Sequence, residues 1–173
     1  QIRLMYAYAA AVTQELIQEM ASNDLVCKYL DLPIQHASDR ILHLMRRHET
    51  QDLIRSCIQR LRQAIPDIIL RSTVMVGFPG ETAADFSCLL DFVQEVQFDR
   101  LGCFVFSAEE GTVAARLPDQ IKPDLAARRY SEVMALQEGI SLAKNQHRLG
   151  QVVNVRFDDV DDDGILFAAR SFG

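Results

Sequence analysis

The chain has 173 residues, of which 49% are apolar and 24% are charged, and its formal net charge is −6. These values are typical of one globular core with room for a small appendage. No apolar run approaches the roughly 18 residues of a membrane span, and no signal peptide is visible. The negative charge disfavours broad, charge-driven binding to nucleic acid.

Strands and amphipathic helices alternate from the first residues to about residue 149. The predicted strands cover residues 2–6, 26–32, 68–76 and 101–106. The helices are predicted to begin after Thr13, after Ser38 or Asp39, after Thr50 and after Thr82, and the last runs from Asp124 to Leu149. The predicted buried side of this last helix carries Tyr130, Val133, Met134, Gln137 and Ile140.

This alternation predicts an α/β fold, in which a parallel sheet is built with right-handed crossovers. The almost continuous apolar sequence of residues 68–76 further predicts that both faces of that strand are covered. Either a barrel segment or an open sheet satisfies this pattern.

The pattern changes after Gly150, where the segments VVNVRF and ILFAAR flank the turn signal Asp163–Gly164. Residues 150–173 are therefore predicted to form a hairpin separate from residues 1–149. A lone hairpin is marginal in water, so we interpret the chain as truncated at its C-terminus. The acidic run resembles the opening of a calcium loop, but Arg170 stands where calcium needs a glutamate, which excludes that site.

The four cysteines are scattered, at Cys27, Cys57, Cys88 and Cys103. None forms a C-x-x-C pair, and none has a histidine at metal-ligand spacing. We interpret them as buried thiols of a reducing cytoplasm, and no recognisable motif for an iron–sulfur cluster is present in these 173 residues.

Special residues follow three of the predicted strands, at the edge where parallel sheets bind ligands. They occur in LPIQHAS (32–38), in GFPGE (77–81) and in FSAEEGT (106–112). GFPGE lacks the lysine and the glycine spacing of a phosphate-binding loop, so Gly77 and Gly80 serve either the close approach of a ligand or a plain turn.

Alternatives also stay open for two other residues. Arg71, within an apolar strand, needs an anionic partner, which is either a ligand carboxylate or a neighbouring acidic side chain. His36 is either a ligand or base, or a hydrogen-bonded histidine of the rim. The other histidines, His43, His48 and His147, are predicted to be solvated helix positions.

Taken together, LDLPIQHASDRIL, IILRSTVMVGFPGETAADF and FDRLGCFVFSAEEGT closely resemble the radical S-adenosylmethionine methylthiotransferases, and the resemblance covers essentially the whole chain. LPIQH and FSAEEGT are most similar to the RimO branch, which modifies an aspartate of a ribosomal protein. The resemblance implies that residues 1–149 are the second half of a partial (β/α)6 barrel and that residues 150–173 begin a TRAM domain.

The resemblance also implies a cofactor site. The turn from Gly77 to Glu81, including Phe78 and Gly80, would border the S-adenosylmethionine pocket. Gln35 and Arg71 would face it, with Arg71 as a partner for the methionyl carboxylate, and Phe106 would lie near the reacting centre.

The same resemblance implies two [4Fe-4S] clusters in the intact enzyme. Its members hold the radical cluster with C-x3-C-x2-C, a motif that these 173 residues do not contain, so the chain alone is expected to be inactive. The implied reaction uses a 5′-deoxyadenosyl radical to remove a hydrogen from the β-carbon of an aspartate in the twelfth small-subunit ribosomal protein, where a methylthio group is installed.

The expected partners are that ribosomal protein and a reductant protein, in the cytoplasm, without a membrane or direct nucleic-acid contact. Two alternatives remain: a transfer-RNA methylthiotransferase of the MiaB branch, and a non-catalytic binding remnant. The first strand would form an unprotected sheet edge, so the isolated chain is expected to be weakly stable or to self-associate.

Overall fold

A parallel sheet of four strands, in the order β1-β2-β3-β4, forms the centre of the fold. The computed structural model describes residues 1–153, 155–160 and 167–171. The strands are β1 (Ile2–Leu4), β2 (Val26–Asp31), β3 (Ile69–Val76) and β4 (Arg100–Val105). The helices are α1 (Gln14–Ser22), α2 (Asp39–Leu44), α3 (Gln51–Ala64), α4 (Ala83–Val96) and α5 (Pro123–Gln146). In this described part of the chain, no helix combines the length and the apolar character that a bilayer crossing requires.

Threonine side chains begin three of the helices, as predicted. The hydroxyl oxygens of Thr13 and Thr50 accept hydrogen bonds from backbone N–H groups three residues later. Thr82 and Asp85 form a reciprocal capping box at the start of α4. Ser38 occupies the cap position of α2, but its hydroxyl instead donates to Asp85 Oδ1 at 2.6 Å.

The helices cover one face of the sheet, and the prediction that β3 is covered on both faces is confirmed only in part, because the second face is less buried. Leu70, Ser72, Val74 and Val76 of β3 are buried. Of the alternate positions, Ile69 is buried with Cys27 and Tyr29, whereas Arg71 and Met75 are only half-buried. We call this second face of the sheet, which carries Arg71 and Met75, the inner face.

Several element boundaries differ from the predicted ones. Strand β1 ends at Leu4 rather than at Tyr6, because Tyr6 has a left-handed backbone conformation with φ of 58°. Helix α5 ends at Gln146 rather than at Leu149. The buried face of α5 includes Arg129 but not Tyr130, which is 39% exposed.

The predicted hairpin is confirmed as an antiparallel pair, β5 (Val155–Val160) with β6 (Phe167–Ser171). Its predicted Asp163–Gly164 turn lies outside the described residues, as does most of the acidic run. The division of the chain into 1–149 and 150–173 stays a prediction.

Apolar side chains are exposed along the inner face and the loop after β1. Phe104 is 59% exposed and Met5 is 41% exposed, and β1 pairs only with β2 among the described strands. Unpaired strand edges and exposed apolar faces both favour association.

We therefore expect the 173-residue chain to self-associate, and Phe104→Ser to shift it toward monomer because the substitution removes exposed aromatic area. Sedimentation velocity at several concentrations measures this shift. The matched control is Leu142→Ser on α5, which removes a side chain that is also 58% exposed and should leave the association unchanged. A wild-type chain that stays monomeric at all concentrations would contradict the prediction.

Candidate functional site

A cleft of about 1650 Å³ opens at the carboxyl edge of the sheet. Segments that follow each of the four strands line it, as expected for a ligand site in a parallel sheet. The lining consists of Tyr8, Ala10, Ala11, Gln35, residues 43–49, Met75, Phe78, residues 104–107, Val113, Ala114 and Leu117. Three of the predicted site residues, Gln35, Phe78 and Phe106, are thus brought together.

Gln35 is tied to β3 by its backbone on both sides. Its N–H donates to the Thr73 carbonyl at 2.9 Å, and its carbonyl accepts from the Met75 N–H at 2.8 Å. These bonds form an isolated parallel bridge opposite Val74, and they hold Gln35 in a left-handed conformation with φ of 66°. The chain beyond Pro33 is therefore rejoined to the sheet at the point where it enters the cleft.

Phe78 and Phe106 form an aromatic surface on the cleft. Their rings meet edge to face, with centroids 5.2 Å apart and an interplanar angle of 69°. This geometry is favourable for an aromatic pair. The Phe106 N–H extends the β3–β4 pairing by donating to the Val76 carbonyl at 2.9 Å.

The two glycines of the GFPGE turn are explained by packing within the chain. Gly77 has φ of +76°, and a Cβ at this position would lie 2.7 Å from the Ala126 Cβ of α5. Gly80 has φ of +80°, and its N–H donates to the Asp119 carbonyl at 2.9 Å. Neither glycine is among the residues that line the cleft, so the turn needs them for its own conformation.

Glu81 is the centre of a buried polar network behind the turn. It is 2% exposed, and its Oε2 accepts hydrogen bonds from the Gly77 N–H and lies 3.0 Å from Arg129 Nη1. Arg129 Nη1 also donates to the Glu81 carbonyl at 3.1 Å. His36 Nε2 lies 3.4 Å from Glu81 Oε1. One carboxylate therefore links the segment after β2, the turn after β3 and helix α5.

His36 is fully buried in this network. Its Nδ1 accepts a hydrogen bond from the Ser38 N–H at 2.9 Å, which assigns the ring hydrogen to Nε2, facing Glu81. The imidazole therefore has partners at both nitrogens and does not line the cleft. This arrangement supports the interpretation of His36 as a hydrogen-bonded histidine rather than a ligand or base.

Asp85 joins the same segments a few residues further along. Burial opposes its ionisation, but hydrogen bonds from Arg40, Ser38 and Thr82 outweigh that effect and hold the pKa of the Asp85 carboxyl well below its ordinary value. Arg40 Nη2 also donates to the Gly80 carbonyl at 2.6 Å. The turn is thus fixed from its two ends by two different carboxylates.

Arg71 lies deeper in the inner face, four residues before Met75 on β3. Its Nη1 is 3.8 Å from Asp31 Oδ1, so a neighbouring acidic side chain is its partner in the structure. Asp31 Oδ2 accepts from the Tyr6 N–H at 3.1 Å, whereas Oδ1 is buried and has no hydrogen-bond partner among the described residues. Arg71 does not line the cleft.

The cysteines lie away from the cleft and apart from one another. Burial raises the pKa of Cys57 to about 11 and that of Cys103 to about 12, which disfavours the thiolate form that metals bind. Within residues 1–153, 155–160 and 167–171, no group of three or more histidine, cysteine, aspartate or glutamate side chains is placed to hold a metal.

Sequence reasoning missed Arg129 and the role of Glu81. A signal for Arg129 was present, because it lies four residues before Val133 and eight before Gln137 on the buried face of α5. No comparable signal marks Glu81, since a carboxylate after a turn is usually solvated.

Glu81→Gln is expected to lower the free energy of unfolding by about 3 to 5 kcal/mol, because it leaves the buried guanidinium of Arg129 without a charged partner. Denaturant titration of the 173-residue chain measures the change. The matched control is Glu95→Gln, which breaks an exposed ion pair with Arg55 and should stay within about 1 kcal/mol of wild type. Equal effects of the two substitutions would contradict the role given to Glu81.

The stabilisation by Asp85 is expected to depend on pH. The folded-state pKa lies below the unfolded value of about 3.9, so the contribution is complete above that pH and is lost as pH falls below it. The difference in unfolding free energy between wild type and Asp85→Asn should therefore shrink below about pH 4. Denaturant titrations from neutral to acidic pH test this, with Asp91→Asn at an exposed position of α4 as the stability control.

Comparison with known proteins agrees with this architecture. The family profile described as "Radical SAM superfamily" matches residues 2–93, just over half of the chain. The structure of coproporphyrinogen III oxidase (HemN) from Escherichia coli, a radical SAM enzyme, superimposes with a TM-score of 0.67 at 17% identity, over 81% of this chain and 32% of that one. This likeness shows the fold, and the predicted fold class of a partial radical SAM barrel is confirmed.

Three similar curated proteins carry the name "Ribosomal protein uS12 methylthiotransferase RimO". The protein from Acetivibrio thermocellus is 48% identical over 99% of this chain, and the one from Clostridioides difficile is 46% identical over 99%. The Geobacter sulfurreducens protein is 52% identical over 84%. The chain spans 38%, 38% and 32% of the length of these relatives, respectively. The profile match and the parallel sheet with its carboxyl-edge cleft together show that the chain belongs to the radical SAM superfamily, a family of enzymes.

Proposed function

We propose that the protein to which this chain belongs is a ribosomal protein methylthiotransferase that modifies the β-carbon of an aspartate in uS12. The observation that carries the proposal is the similarity, at 46% to 52% identity, to the three relatives described above, which bear that name. The similarity extends over nearly the whole chain and includes the segments that line the cleft.

The cleft is the proposed S-adenosylmethionine site, and its residues fit that group. The paired rings of Phe78 and Phe106 offer an apolar surface for the adenine, and Gln35 offers a polar side chain beside them. Gly77 and Gly80 hold the turn that carries Phe78. When bound, S-adenosylmethionine would supply the radical chemistry of the superfamily.

Arg71 is proposed as the partner of the methionyl carboxylate, on the inner face beyond the residues that line the cleft. Its side chain is 42% exposed on the inner face, so it is accessible to a ligand despite its loose pairing with Asp31. The buried Asp31 Oδ1, without a hydrogen-bond partner among the described residues, is a further acceptor for a donor group of the ligand.

A [4Fe-4S] cluster does not fit the described residues, because cluster ligands are thiolates and the four cysteines are neither clustered nor at the cleft. We therefore assign no step to a cluster within this chain. The radical cluster with its C-x3-C-x2-C ligands, the second cluster and the contact with a reductant protein are proposed to belong to residues outside these 173. The contribution of this chain is to orient the cofactor and the substrate and to exclude water from the reacting centre.

The alternatives have less support. A transfer-RNA enzyme of the MiaB branch is disfavoured by the net charge of −6 and by the shared name of the relatives. A non-catalytic binding remnant is disfavoured because the relatives that cover nearly the whole chain are named as methylthiotransferases. We propose a cytoplasmic enzyme with a protein substrate, without membrane contact or direct nucleic-acid binding.

The test uses the whole gene product, purified anaerobically with its clusters reconstituted, together with S-adenosylmethionine, a sulfur source and a reductant. Mass spectrometry should show one methylthio group on an aspartate of uS12 and no change in transfer RNA. Modification of transfer RNA alone would refute the proposal. A gene product without C-x3-C-x2-C anywhere in its sequence would refute the enzymatic assignment and favour the binding remnant.

A further inference from the structure

The charged side chains that line the cleft are concentrated on one wall, which is formed by residues 43–49. Among the described residues that line the cleft, every histidine, arginine and acidic residue belongs to this wall, as His43, Arg46, Arg47, His48 and Glu49. The opposite wall is apolar, and its Phe104 and Val113 are 59% and 58% exposed. A chain of net charge −6 thus lines one side of its main cleft with basic groups.

Arg47 and Glu49 neutralise each other within this wall. Glu49 Oε2 accepts from Arg47 Nη2 at 2.7 Å and from Nε at 3.2 Å, and Glu49 Oε1 accepts from the Ala9 N–H at 2.5 Å. Arg47 also donates to the Pro33 carbonyl at 2.9 Å and lies over the Tyr8 ring at 4.6 Å from its centroid. Both side chains serve to hold the wall in place.

Arg46 is left as the unpaired cation of the wall. It is exposed, and its guanidinium makes no ion pair or side-chain hydrogen bond within the part of the chain that the structure describes. The only carboxylate of the cleft lining, Glu49, already has its oxygens occupied by other donors. The guanidinium is therefore available to a ligand.

The backbone at Arg46 is one that glycine prefers. The Arg46 N–H donates to the His43 carbonyl and the Arg47 N–H donates to the Leu42 carbonyl, each at 2.9 Å, which is the Schellman arrangement at the end of α2. Arg46 has φ of 56°, the left-handed conformation in which glycine is usual. The Schellman arrangement explains the backbone of Arg46, but nothing in the described residues explains its unpartnered guanidinium.

From these observations we propose that Arg46 binds the carboxylate of the target aspartate when a segment of the protein substrate enters the cleft. A guanidinium binds a carboxylate through paired charge-assisted hydrogen bonds, and the apolar wall opposite accommodates the rest of the segment. This inference rests on the proposed function, because it assigns the substrate side of the same cleft. Arg46 is thereby a residue that selects aspartate over its neutral analogue.

The test compares two peptides that span the modified site of uS12, one with the target aspartate and one with asparagine in its place. Their dissociation constants for the whole gene product are measured by fluorescence anisotropy, which does not depend on turnover. The wild type should bind the aspartate peptide about tenfold to a hundredfold more tightly, since a charge-assisted bond is lost with asparagine. Arg46→Gln should bind the two peptides equally, and Arg46→Lys should restore part of the preference.

The matched control is Arg128→Gln, which removes an exposed arginine on α5 and should keep the full preference. Arg46→Gly gives a second readout: it should lose the preference without any fall in Tm, because glycine suits the left-handed conformation. If Arg46 had only a structural role, Arg46→Gly would keep the preference for the aspartate peptide and would lower Tm. The affinity for S-adenosylmethionine should be the same in wild type and Arg46→Gln.

Two outcomes would overturn the assignment of Arg46. The first is an equal affinity of the wild type for both peptides. The second is a loss of S-adenosylmethionine affinity in Arg46→Gln, which would identify the group bound by Arg46 as the methionyl carboxylate. If the enzyme methylthiolates uS12 and either result is found, only the role of Arg46 is refuted and the proposed function stands. An enzyme that does not modify uS12 refutes the proposed function, so the two failures are distinguishable.

Discussion

The geometry of the cleft depends on one buried carboxylate, that of Glu81. It receives the Gly77 N–H, faces the His36 imidazole and pairs with Arg129 at 3.0 Å. A carboxylate in a low-dielectric interior is tolerable only when donors surround it, and here each donor comes from a different segment of the chain. Because Phe78 lies between Gly77 and Glu81, the same bonds that satisfy the charge also position the aromatic surface of the cleft.

The charged groups at the carboxyl edge of the sheet have two different roles. Glu81 and Asp85 are enclosed by donors and serve the protein's own architecture, whereas Arg46 and Arg71 remain accessible. The buried groups fix the walls of the cleft, whereas Arg46 lines the cleft and Arg71 lies on the inner face outside that lining. Both guanidinium groups are therefore accessible without any change to the buried network.

Much of the fold was predictable from the sequence because its signals are local. The threonine caps and the period of apolar residues set the helices, and the alternation of elements set the parallel sheet. The predictions failed where a distant contact decides the outcome. The apolar sequence of β3 does not reveal which face its neighbours cover, and Tyr130 and Arg129 exchange their expected environments because Glu81 lies next to α5.

The candidate site was predictable in part for the same reason. Gln35, Phe78 and Phe106 stand at strand ends, a position that sequence order alone identifies, and they meet at the cleft. The sequence around Gly77 does not reveal why glycine is needed there, because the close contact is with Ala126, nearly fifty residues further along the chain. The ion pair of Arg71 with Asp31 likewise depends on the register of two strands, which no local pattern records.

Helix α5 has a mechanical consequence for the sheet that it covers. Its 24 residues span about 36 Å, at 1.5 Å per residue. Near its start, Ala126 abuts Gly77; near its end, Lys144 Nζ holds Asp99 Oδ1 at 2.7 Å and the Gln97 carbonyl at 2.6 Å, just before β4 begins. Helix α5 thus contacts the carboxyl end of β3 through Ala126 and the segment before β4 through Lys144, so a single helix fixes the spacing between the two ends of the sheet.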